Sequence, residues 1–134
     1  MPRFSGLVLL VLCIALGSCG PAATPTVTPS PTPDAVDMYI MMTQRYTSPA
    51  FVLTLGDMSA EDVDRIVRAL QSIQAPAELQ DLHEQAVSGW KWVSDGKLLL
   101  PGADGRLRAE AYFMMEWGMG LLLDYWERLS QVEH

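Results

Sequence analysis

The sequence is poor in cysteine. Of its 134 residues only Cys13 and Cys19 carry a thiol, and both lie near the N-terminus. A disulfide or a thiolate metal site needs cysteines in the folded part of a chain, so neither is expected after Cys19. A β-sheet is not expected either, because no stretch alternates apolar and polar residues with a period of two.

Basic side chains are also scarce. The chain has 9 Lys and Arg against 16 Asp and Glu, and its formal net charge at pH 7 is −7. An acidic protein is repelled by nucleic acid and by anionic lipid. This balance excludes both as primary binding partners.

Common catalytic motifs are absent from the sequence. It contains no Gly-x-Ser-x-Gly, His-Glu-x-x-His, Walker loop, Cys-x-x-Cys-His or EF-hand loop. The Glu-x-x-His of di-iron helix bundles is missing as well. Since no nucleophile lies beside a base in any recognisable pattern, the protein is not expected to be an enzyme.

The only long apolar run, residues 4–17, is too short to span a membrane, which takes about 20 helical residues. It follows Arg3 and carries no charge, as the apolar region of a secretory signal peptide does. The run ends in Leu16-Gly17-Ser18-Cys19. This stretch resembles the lipobox of bacterial lipoproteins, in which an aliphatic residue and two small residues precede the cysteine.

The resemblance implies that residues 1–18 are a signal peptide and that Cys19 carries diacylglycerol and often an N-acyl chain. Two or more acyl chains give stable membrane anchoring. The chain is then lipid-anchored on the extracytoplasmic face of a cell membrane, with no other cofactor. Gly20 in place of Asp permits export to an outer membrane, if the host has one. The alternative is an ordinary signal peptide that leaves Cys19 as a free thiol.

A tether is predicted for residues 19–33, which follow the signal peptide. Residues 20–33 contain five prolines, four threonines and no charge. Such a segment buries too little apolar surface to fold, and Pro-rich chains are extended at about 3.1 Å per residue. It would hold the rest of the chain about 40 Å from its anchor.

Residues 34–134 are predicted to form an all-α domain. Three prolines divide it into four segments, and the helical spacing of apolar residues predicts a small antiparallel bundle. The alternatives are four helices, or three helices plus an irregular segment at residues 50–56. The stretch 73–83 also resembles a pattern in small helical bacterial lipoproteins of unknown function, which implies a fold and no activity.

Helix ends are predicted from local signals. Asp34, Ser59 and Asp104 are N-caps, with Asp62 completing a capping box. The third helix starts at Pro76 and ends at residues 94–96, with a glycine cap.

The first helix is apolar nearly all round, which predicts burial on two sides. Two surface ion pairs are predicted on the second helix, Glu61 with Arg65 and Asp64 with Arg68.

Methionine sulfur and His83 offer a candidate metal site. Thioethers are soft ligands that select Cu(I). Methionines form one group on the first helix and one on the last, and a copper site would use residues from both groups with a histidine: Met38, Met41, Met42, His83, Met115 and Met119. The alternatives are that the methionines fill the core and that His83 is a core residue hydrogen-bonded to a backbone carbonyl or a carboxylate.

Three aromatic residues lie off the apolar faces of their helices: Trp92, Phe113 and Trp117. Exposed aromatic side chains are typical of interaction sites. The alternative is that Phe113 and Trp117 cover the apolar segment 51–55. The leading hypothesis is a lipid-anchored, non-enzymatic binding module with a protein partner, and extracytoplasmic Cu(I) binding is the second.

Overall fold

The computed structural model of the protein describes residues 34–132. The predicted signal peptide, lipobox and tether lie outside the described residues, as does His134. Four main helices are present: α1 (Ala35–Thr47), α2 (Ala60–Gln71), α3 (Gln80–Leu99) and α4 (Gly105–Leu129). The described part of the chain contains no strand, and the all-α prediction is confirmed.

The predicted N-caps are confirmed. The Asp34 side chain accepts a hydrogen bond from the first turn of α1, and Asp104 does the same for α4. Ser59 and Asp62 form a reciprocal capping box at the start of α2. Each cap supplies acceptors for amide groups that have no partner within the helix.

One of the two predicted ion pairs is wrong. Asp64 and Arg68 pair at 3.0 Å as predicted, but Arg65 pairs with Asp62 at 2.7 Å and not with Glu61. The capping box fixes the Asp62 carboxylate in place, so Arg65 meets a held partner one residue further along the chain.

The segment between α1 and α2 is helical but irregular. It consists of one α-helical turn, Pro49–Val52, and a 3-10 turn, Leu53–Asp57. Val52 and Leu55 are buried within it. The Phe51 ring lies 5.9 Å from that of Trp90, which attaches this connection to α3.

Helix α3 differs from its predicted bounds at both ends. A 3-10 turn, Ala77–Leu79, follows Pro76 and delays the start of α3 to Gln80. The predicted stop at residues 94–96 is wrong, because α3 continues to Leu99. A Cβ on Gly96 would lie 2.6 Å from the carbonyl oxygen of Ala111, so this glycine serves a helix contact and not a cap. The left-handed turn residue is Gly102, with φ of 76°.

The α3–α4 hairpin is the most extensive helix contact, and it is antiparallel. Buried residues follow the alternating three- and four-residue spacing of a coiled coil. They are Leu82, Ala86, Gly89, Val93 and Gly96 on α3, and Ala111, Met115, Gly118, Leu122, Tyr125 and Leu129 on α4. A Cβ on Gly118 would lie 2.5 Å from the Gly89 carbonyl oxygen, so the two backbones are in near contact.

Helix α1 packs through one face only. Tyr39, Thr43 and Thr47 are buried at four-residue spacing, and the helix contacts α2 and α4. The Trp90 indole also donates a hydrogen bond of 3.0 Å to the Tyr46 carbonyl oxygen. The prediction of burial on two sides is wrong, because the methionine side of α1 is exposed.

Candidate functional site

A buried chain of polar side chains joins three helices. The Tyr39 hydroxyl of α1 lies 3.2 Å from His83 Nδ1 of α3, and the Tyr125 hydroxyl of α4 donates to it at 3.3 Å. Thr43 Oγ1 lies 3.3 Å from the Tyr125 hydroxyl and donates to the Tyr39 carbonyl oxygen. This chain of hydrogen-bonded side chains, called the tyrosine chain below, therefore fixes α1 against the α3–α4 hairpin.

His83 Nδ1 shares its hydrogen bond with the Tyr39 hydroxyl, and the tautomer of the ring sets which of the two atoms donates. In the tautomer that carries its proton on Nε2, Tyr39 donates and Nδ1 accepts. Burial lowers the pKa of His83, against a smaller opposing effect of Glu84. Burial and the contact with Tyr125 raise the pKa of Tyr39 well above its usual range.

His83 Nε2 faces an open groove along α3. The residue is only 7% exposed. No buried side-chain nitrogen or oxygen of the described residues lacks a hydrogen-bond partner, and the ring makes no bond through Nε2, so Nε2 contacts solvent. The groove has a volume of about 580 Å³, and six of its eight lining residues are polar or charged, among them Gln71, Glu84, Ser88 and Lys91.

His83 is the one imidazole among the residues that line this groove. The predicted hydrogen bond of His83 to a carbonyl or carboxylate is wrong, since its partner is a tyrosine hydroxyl. Within residues 34–132 no three His, Cys, Asp or Glu side chains lie close enough to hold a metal ion. Among the described residues, no carboxylate or second histidine hydrogen-bonds the ring.

The methionines of the copper hypothesis occupy different environments. Met38, Met41 and Met42 lie on the exposed side of α1. Met115 is buried in the α3–α4 contact, where its Cγ would lie 2.7 Å from a Cβ on Gly96, and Met119 packs against the core. Since the two groups lie in these different settings, no observation on the described residues favours a shared copper site.

Phe113 and Trp117 form an exposed aromatic pair on the outer face of α4. The two residues are 62% and 54% exposed, and their rings stack with centroids 6.4 Å apart. The expectation that they cover segment 51–55 is wrong, because Phe51 packs against Tyr46 and Trp90 instead.

A shallow groove adjoins this pair. It has a volume of about 300 Å³ and is lined by Phe113, Glu116, Trp117, Gly120 and Leu121. No atom lies within 4 Å of where a Cβ on Gly120 would be, so packing does not require this glycine. A glycine inside a helix costs about 1 kcal/mol relative to alanine. Gly120 therefore weakens α4 without a gain in the packing of the described residues.

Trp92 lines the His83 groove, separately from the groove beside Phe113 and Trp117. Gln85 of α3 donates to the Leu121 carbonyl oxygen and to the Asp124 carboxylate of α4. One heptad further along the hairpin, the same register places Trp92 level with Trp117. The two grooves nevertheless share no lining residue.

Sequence reasoning missed the tyrosine chain. A signal was present, because Tyr39 and Thr43 stand four residues apart on the apolar face of α1. Polar side chains on a buried face need partners, and Tyr125 on the apolar face of α4 carries the matching hydroxyl.

Comparisons with protein-family models, with curated proteins and with solved structures found no match for this chain. Among the described residues, none of the helices combines the length and the apolar character needed to cross a membrane.

Proposed function

We propose that the protein is an extracytoplasmic lipoprotein, anchored through Cys19, that presents a non-enzymatic helical interaction module. The lipobox-like sequence Leu16-Gly17-Ser18-Cys19 supports the anchor. The exposed pair of Phe113 and Trp117 supports the interaction. This pair is the observation on which the proposed module rests.

The aromatic pair contributes little to folding and much to binding. Each residue is more than half exposed, so neither Phe113 nor Trp117 is needed to fill the core. Burying a large apolar side chain against a partner contributes about 1.5–3 kcal/mol. Tryptophan is among the residues that dominate binding energy at protein interfaces. Two stacked rings on one rigid helix suit a protein partner.

The test compares the accessibility of these side chains in cells and in isolation. Hydroxyl-radical labelling is carried out on cells that express the protein and on the purified, diluted chain. We expect labelling of Phe113 and Trp117 to fall several-fold in cells, because a partner covers them. Met41 of α1, which is 70% exposed, and Leu53, which is 77% exposed, serve as controls and should be labelled equally in both samples.

Equal labelling of all four positions in cells and in a purified chain diluted until sedimentation shows a monomer would contradict the proposal. Protection of Met41 and Leu53 to the same degree as Phe113 would also contradict it, since general shielding by the envelope would then explain the result.

A further inference from the structure

We propose that the partner of the outer face of α4 is a second copy of this chain, bound antiparallel in a two-fold symmetric dimer. The inference rests on the proposed function, since it takes this face to be an interaction surface. The order of residues along α4 identifies a second copy of the chain as the partner that covers this surface.

The outer face of α4 carries a second heptad seam. Its members follow one another at spacings of four, three, four, three and four residues and are all exposed: Arg106, Glu110, Phe113, Trp117, Gly120 and Asp124. We call this set the outer seam. The buried seam of α4 has the same spacing and faces α3. Its two central members, Phe113 and Trp117, are large and apolar, and an apolar pair at this spacing can pack against a further helix.

The outer seams of two copies are complementary when the two helices run in opposite directions. When two copies of α4 pair antiparallel about an axis level with Met115, Phe113 lies opposite the partner's Trp117. Arg106 then lies opposite the partner's Asp124, and two-fold symmetry repeats both pairs. Four aromatic rings form the centre, with one Arg–Asp pair at each end.

The charged ends of the seam are available for these contacts. The Arg106 side chain forms no ion pair within residues 34–132. Asp124 accepts a hydrogen bond from Gln85 through Oδ2, and Oδ1 has no partner among the described residues. An Arg–carboxylate pair across an interface fixes register more than it adds affinity. These pairs would therefore select the antiparallel alignment.

The same alignment accounts for Gly120. It places Glu110 opposite the partner's Gly120, where the missing side chain leaves room for the apolar stem of the glutamate. Within one protomer this glycine has no packing role. The seam from residue 106 to residue 124 is about 27 Å long at 1.5 Å per residue, enough for five helical turns of contact.

Charge reversal tests this register. Arg106→Asp alone sets Asp against Asp at both ends, and Asp124→Arg alone sets Arg against Arg. The chains are purified from membranes in a mild detergent, and their mass is measured by sedimentation. We expect the unaltered chain to be a dimer and each single variant to dissociate at least about tenfold more readily, because like charges face each other.

Variants that restore the opposite-charge pairs make the test specific for this antiparallel register. A mixture of the two single variants restores both opposite-charge pairs in a heterodimer, and the double variant restores them in a homodimer. Both are expected to dimerise like the unaltered chain. Neither change disfavours α4, because Asp near a helix N-terminus and Arg near its C-terminus suit the helix dipole. Arg68→Asp on α2 is the control and should leave the dimer intact.

A monomeric unaltered chain at micromolar concentration would overturn the proposal. So would single variants that dimerise as well as the unaltered chain, or a mixture that stays monomeric. Protection of Phe113 in cells combined with a monomeric purified chain would mean that a different protein covers the seam. The second-copy proposal would then fail while the proposed function stands.

Discussion

At the scale of single residues, the Tyr39 hydroxyl is the group that joins most parts of this fold. It meets His83 of α3 and Tyr125 of α4 from its place on α1. Its burial raises its own pKa, so it stays protonated and able to donate at any physiological pH. His83, with a pKa lowered by burial, stays neutral and able to accept.

Tyr39→Phe is therefore expected to destabilise the protein by about 1–3 kcal/mol, because it leaves buried His83 Nδ1 without a partner and removes one of the two side-chain hydrogen bonds of Tyr125. Tyr112→Phe is the matched control, since Tyr112 is exposed and its loss should change stability by less than about 0.5 kcal/mol. Urea unfolding of the two variants and of the unaltered chain measures both values. Equal stability of the two variants would show that the tyrosine chain does not hold α1 in place.

At the scale of elements, local signals predicted the helices and tertiary contacts altered their ends. The caps at Asp34, Ser59 and Asp104 act within one turn of chain, which is why the sequence alone located three helix starts. Gly96 looked like a helix stop for the same local reason. Its actual role depends on Ala111 in another helix, which no local pattern reveals.

Glycines of α4 give a sharp test of the hairpin contact. Gly118→Ala is expected to destabilise the protein by about 1–3 kcal/mol, because the new Cβ would meet the Gly89 backbone at 2.5 Å. Gly120→Ala, two residues away on the open side, is expected to stabilise the monomer by about 0.5–1 kcal/mol. Both changes are made in the Arg106→Asp background, which is expected to be monomeric, so that contacts between copies do not contribute. Thermal unfolding compares the two. Changes of the same sign would contradict the packing described for α3 and α4.

At the scale of the whole molecule, the candidate surface was visible in the sequence but its exposure was not. Helical projection placed Phe113 and Trp117 off the apolar face of α4. Whether another segment covered them depended on the path of residues 49–57, and only the structure shows Phe51 packed on Trp90 instead. The His83 groove was less predictable, because it needs the relative placement of α2 and α3.

The proposed partner must lie outside the cytoplasm, and that requirement depends on Cys19. The most direct measurement is the intact mass of the chain purified from membranes of its native or a related host, with Cys19→Ala as the control. We predict loss of residues 1–18 together with a diacylglyceryl-sized gain in mass, and the substitution should abolish both. A cleaved chain that is released without any added mass would contradict the account, because Cys19 would then be a free thiol on a secreted protein.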